Sequence, residues 1–220
     1  MQSPRTRPAG NGGTVPATVM GSPAALGFRV KSGWATAVLL LGPAESPSVV
    51  EAGRVELSDA SVPHSRQPHH AATGVAQTDP AVLAHLTGIV EQCARRSVAQ
   101  LVERHRAAGH RLIGAGIVVG SDSPPDRIAN PHIRAHASEG RLFRTALESA
   151  LTSAGVSGRV VVERTLYATA AATLHRAEPA LKQAVTAMGR GRTSSWRADD
   201  KAAALAAWLV LAGGVSMDRS

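Results

Sequence analysis

The sequence predicts an α/β domain, and three observations carry that expectation. Short apolar runs separated by turn residues fill 25–57. Beyond a polar stretch, long segments with helical periodicity alternate with short apolar strands, as in layered α/β proteins. The last such segment, about 198–212, is apolar on every side. A helix of that character is buried.

Residues 1–24 are rich in Pro, Gly, Ser and Thr and are expected to form a disordered arm. One domain is expected over 25–213, with a flexible tail at 214–220. Leu26 to Val30 alternates apolar and other residues, Lys31-Ser32-Gly33 reads as a turn, and Trp34 to Leu41 is a nearly continuous apolar strand. Gly42 to Ser48 is a Pro-rich turn, and 49–57 reads as a third strand. Short turns between consecutive strands imply an antiparallel meander. Residues 58–79, with His64, His69 and His70, read as a long polar loop.

A helix is expected over 82–108, with Thr78 or Asp79 as N-cap, Pro80 at its first position and Gly109 past its end. Arg111 to Val119 is apolar on both faces and should lie centrally in the sheet. Residues 120–129 form a turn, and Asn130-Pro131 starts a second helix reaching 154. Ile133, His136, Ala137, Gly140, Phe143, Leu147 and Leu151 line its expected inner face. Gly140 costs about 1 kcal/mol against Ala in mid-helix, which close packing on the sheet would explain. Glu139, Arg141, Arg144 and Glu148 read as exposed charge pairs. A strand is expected over 159–166, partial helix around 179–188, then a basic loop, Gly189-Arg190-Gly191-Arg192.

The chain of 220 residues can bury a real core, with 44% hydrophobic and 18% charged residues. Net charge is +8 and the pI about 11.1. That favours an anionic partner, although Arg- and Ala-rich usage resembling a GC-rich bacterial genome gives the same pI without one. Aromatic residues make up 3%, so stacking surfaces for bases are scarce. A lone cysteine, Cys93, excludes an internal disulfide and sits at an apolar helical position. No apolar run approaches the roughly 18 residues needed to span a bilayer, and a cytoplasmic location is the expectation.

His132 and His136, four residues apart, share a helix face and can hold one metal. The position beside the first His, where a zincin has Glu, is Ile133. An anion site is preferred: the free N–H groups of the helix start, beside Arg127, His132 and Arg134. His64, His69 and His70 lack acidic or Cys partners, so no metal centre is expected. Arg190, Arg192 and Arg197 beside Trp196 form the best nucleic-acid patch. No Gly-x-x-x-x-Gly-Lys loop and no Gly-x-Ser-x-Gly elbow is present.

Three stretches carry a resemblance. Gly27-Phe28-Arg29-Val30-Lys31-Ser32-Gly33-Trp34 is similar to a Gly-x-Asp-Pro-Gly opening strand. Leu181 to Arg190 looks like a Lys-x-Ala-Val-Thr-Gly loop. Asp199-Asp200-Lys201-Ala202-Ala203-Ala204-Leu205-Ala206 is similar to an Asp-Ala-Ala-Asp-Ala-Leu-Ala closing helix. Together with the element order, they resemble the ribonuclease H-like superfamily, closest in look to its Holliday-junction resolvase branch, over about 26–212. The resemblance implies a mixed sheet, three antiparallel strands followed by two parallel ones, with helices on both faces. It also implies clustered carboxylates holding two Mg²⁺ ions about 4 Å apart.

Here the chain departs from the pattern. Arg29 stands at the opening Asp position, Gly120-Ser121 ends the central strand with Asp122 just beyond, and only Asp199 and Asp200 match the closing acids. The first reading is therefore a non-catalytic domain, without cofactor, binding nucleic acid or another polyanion through Arg29, Lys31, Arg134, Arg190 and Arg192. The second is a Mg²⁺-dependent nuclease using Asp122, Asp199 and Asp200. The third is a small-ligand or assembly module. If Asp122, Glu163 and Asp200 converge on Arg29, an internal ion pair fills the cleft where the family keeps its metals.

Overall fold

The computed structural model describes residues 22–72, 75–192 and 195–214. Most of the expected arm (1–21) and tail (215–220) lies outside the described residues. Strands β1 (Pro23–Lys31), β2 (Trp34–Leu41) and β3 (Ser48–Glu56) form the meander. Ala24 is fully buried in β1. β6 (Arg111–Val119) matches the expected strand.

The five-stranded sheet has the order β3-β2-β1-β6-β7, with β7 at Gly158–Val162. β1 pairs antiparallel with β2, and β2 with β3. β1 pairs parallel with β6, and β6 with β7. Crossover helices make the parallel pairs possible. α1 (Pro80–Ala107) and α2 (Pro131–Ser153) lie on one face, where their apolar stripes close over Leu26, Phe28, Leu39 and Ile117. On the other face, α3 (Leu166–Leu174), α4 (Glu178–Ala187) and α5 (Ala198–Gly214) cover Ala25, Val38, Leu40 and Val118.

α5 carries the second layer. Ala202 through Leu209 are all buried, and the indole N–H of Trp208 donates to Ala44 O at 2.6 Å. Its small residues let it lie directly on backbone: a Cβ at Gly27 would sit 1.8 Å from Ala203 O, and one at Gly116 2.4 Å from Ala206 O. Glycine within a strand marks such an approach.

Four expectations need correction. The strand expected over 159–166 stops at Val162, because Glu163–Thr165 forms a 3₁₀ turn leading into α3. Residues 58–79 are not featureless: Pro63–Arg66 is a 3₁₀ turn, and β4 (His70–Ala72) pairs with β5 (Val75–Ala76). Buried Ser65, bridging Asp59 N and Asp59 O, braces this segment. Lys182 to Ala187, likened to a loop, lies within α4. The first half of α2 is rotated from its expected face: Ala135 and Glu139 point inward, while Ile133 is 55% exposed and His136 and Gly140 are exposed. A buried carboxylate breaks the apolar signal that would have shown this phase.

Gly140 therefore has no packing reason; a Cβ there meets nothing within 4 Å. Gly140→Ala is expected to stabilise the fold by up to about 1 kcal/mol, from helix propensity alone. A chemical-denaturation midpoint that falls would contradict this.

Candidate anion-binding cleft

β1, β6 and β7 run parallel, so their carboxyl ends meet on one edge of the sheet. Ligands of open α/β sheets bind outside that edge. A cleft of about 330 Å³ opens there. Arg29, Lys31 and Ser32 enter it from the end of β1, Gly120, Ser121 and Ser123 from the end of β6, and His136, Ala137 and Gly140 from α2. Its lining holds two cations, three serine hydroxyls, one imidazole and no carboxylate. Through Ser121, Ser123 and Ala137 it adjoins a second hollow of about 280 Å³, lined also by Arg141 and Arg144.

Arg29 is 6% exposed. It points to the α5 face of β1, in phase with Ala25 and Gly27. One terminal nitrogen donates to Glu163 Oε2 at 2.6 Å and the other to Val30 O at 2.7 Å. Its Nε lies 3.9 Å from Asp199 Oδ1, too far for a hydrogen bond, and has no partner. Lys31 Nζ meets the same Asp199 oxygen at 3.1 Å. Buried charges need such partners, and Glu163 is available because β7 ends at Val162.

Of the three acids whose convergence would give Arg29 an internal ion pair, Glu163 arrives and the others do not. Asp122 pairs with Arg144. Asp200 accepts the backbone N–H of Arg197 at 2.7 Å, capping α5. Asp199, read beside it as a possible catalytic acid, is the second acid near Arg29. Among the described residues, no three carboxylates bring oxygens together as a metal-holding group. The residues here do not fit a two-Mg²⁺ centre: a guanidinium fills the space, and each expected acid is engaged by a cation or a helix end.

Other expected anion contacts fall away from this lining. Asn130 Oδ1 accepts Ile133 N–H at 3.1 Å, and Arg134 donates to Ile128 O at 3.3 Å, so local groups cap the start of α2. Arg127 is exposed on the turn before it. His132 turns toward His136, 3.2 Å between Nε2 atoms. Trp196 donates its indole N–H to Val185 O at 2.6 Å and packs against Gly189, so its ring is a structural contact rather than an open stacking face. The Arg192 guanidinium lies 5.8 Å from that ring, and Arg190 is exposed nearby.

Three residues read as ordinary turn out otherwise. Glu139, expected in a surface pair, is 1% exposed. It accepts the His69 backbone N–H at 2.7 Å and faces His70 Nδ1 at 3.2 Å. Burial pushes its carboxyl up to about 7, partly offset by the His69 hydrogen bond. Ser121 and Ser123 belong to the cleft although no motif marked them; their position after a central strand was the available signal.

No protein-family model matches the sequence, and no curated protein matches it. Among solved structures, RuvC of Thermus thermophilus is similar with a TM-score of 0.50 at 11% identity, covering 87% of this chain and 96% of that one. The same organism's RuvC in complex with Holliday junction substrate gives 0.48 at 13% identity, covering 88% and 95%. The yeast mitochondrial Holliday junction resolvase Ydc2 gives 0.43 at 10% identity, covering 92% and 84%. The last two similarities are too slight to carry an argument. Sheet order, helix placement and the first similarity agree: the chain has the ribonuclease H-like fold.

Proposed function

We propose that this domain binds a phosphate-bearing polyanion, nucleic acid being the first choice, at the cleft beside Arg29, and that it does not cut it through a two-metal centre. The carrying observation is the lining: Arg29, Lys31, Ser32, Ser121 and Ser123 with no carboxylate among them. Phosphate oxygens accept hydrogen bonds from hydroxyl and cationic donors. Lys31 and the serine hydroxyls are the accessible donors; the Nε–H of Arg29 also lacks an acceptor but is buried on the side of Asp199. Glu163 and Asp199 hold the two cations in place from the side. The adjoining hollow, lined by Arg141 and by the Asp122–Arg144 pair, extends the surface as a chain-like ligand requires.

Fluorescence anisotropy with labelled single-stranded DNA, duplex DNA and RNA, across a salt series, tests this reading. Binding should weaken linearly in log–log form with salt. Lys31→Met should weaken it about uniformly across sequences and reduce the slope by about 1. No binding even at low salt, or binding indifferent to Lys31→Met, would overturn the reading.

A further inference from the structure

Three imidazoles meet at one edge of the cleft, and the anion reading gives their meeting no purpose. His132 and His136 stand one turn apart on α2, and His70 comes from β4. One ligand nitrogen of each lies within 4.8 Å of the others. Ring centroids are 4.5 Å apart for His132 and His136, 4.6 Å for His70 and His136, and 5.8 Å for His70 and His132. Nitrogens bound to one tetrahedral ion at about 2.0–2.1 Å stand about 3.3 Å from each other; the Nε2 atoms of His132 and His136 are already 3.2 Å apart.

His70 supplies the second, independent observation. It is 8% exposed, and its Nε2 is buried with no hydrogen-bond partner. Its Nδ1 faces Glu139 Oε1, which the His69 backbone N–H also holds. A carboxylate on one imidazole nitrogen fixes the tautomer and leaves the other nitrogen as a lone pair for a metal.

We propose that His70, His132 and His136 form a binding site for a divalent transition metal of the zinc class. Three neutral nitrogen donors suit zinc, cobalt, nickel or copper, and do not suit Mg²⁺, which wants oxygen. His132 and His136 are exposed, so a fourth position stays open to water. His136 also lines the cleft, which puts the ion at its rim. Glu139 is a positioning residue: it touches His70, not the ion. The site stands whether or not the cleft takes a polyanion.

Untagged protein, stripped with a chelator, is titrated with Co²⁺ and followed by visible absorption, then challenged with Zn²⁺. One ion per chain is expected, with the bands of a four- or five-coordinate ion that Zn²⁺ erases. His132→Ala and His136→Ala change exposed residues, and each should weaken uptake about 100-fold while circular dichroism stays native. Glu139→Gln should weaken it about 10-fold, with shifted bands because His70 is held differently. No saturable uptake of either ion at about 100 μM, or equal uptake by the His132/His136 double variant, would overturn the proposal.

Discussion

Gly27→Ala is expected to destabilise the domain by about 3 kcal/mol or more, the upper end of ordinary overpacking. The added Cβ would lie 1.8 Å from Ala203 O and 2.8 Å from Ala203 C and Ala207 N. All three are backbone atoms of α5, so no side-chain rotation relieves the clash. The helix must lift from β1. Gly116 lies on the neighbouring strand under the same helix, with Ala206 O 2.4 Å from its would-be Cβ, so the seam cannot tilt to one side. The cost falls on the layer where Ala202 through Leu209 are buried. Gly53→Ala is the control: β3 offers open space there, and its effect should stay within about 0.5 kcal/mol. Guanidinium unfolding of both variants checks this. Equal midpoints would mean that α5 does not rest on the sheet as described.

Glu163→Ala should cost about 2–3 kcal/mol, and Arg29→Met clearly less. The two changes break the same 2.6 Å ion pair, but they strand different partners. Removing Glu163 leaves a guanidinium that is 6% exposed with Val30 O as its remaining hydrogen-bond acceptor. Asp199, 3.9 Å from its Nε, makes no hydrogen bond to it, and a buried charge that loses its hydrogen-bonded partner is costly. Removing Arg29 strands a Glu163 side chain that is 50% exposed, and water can take over its hydrogen bonds. Methionine also fills much of the guanidinium's volume. The ranking of the two unfolding midpoints is the test; an Arg29→Met variant less stable than Glu163→Ala would contradict the assignment of Arg29 as the buried, dependent partner.

The fold was legible where one local signal dominated. Asp79-Pro80 and Asn130-Pro131 marked both long helices, and the side chains of Asp79 and Asn130 do cap them. The apolar run of β6 gave its ends correctly. The all-apolar character of 198–212 placed α5 inside. What escaped depends on partners far along the chain. Glu139 looked like half of a surface pair because its true partners, His69 and His70, are about 70 residues away and contribute one backbone N–H and one ring. Gly27 passed as an ordinary member of an alternating strand, since only α5 shows why a side chain is forbidden. Arg29 was legible as a cation in an acid's place, and Glu163 as one of its possible partners. The competing claims of Arg144 on Asp122 and of the start of α5 on Asp200 were not.

The proposal that matters most is that the cleft beside Arg29 holds an anion rather than a pair of metal ions. It is tested most directly by mixing the protein with a labelled four-way DNA junction and an RNA–DNA hybrid, adding Mg²⁺ or Mn²⁺, and reading binding and cleavage from the same samples. The account predicts nucleic acid that is bound at low salt, released at high salt and recovered uncut. Cleavage that requires the added ion and disappears in Asp200→Asn would contradict it.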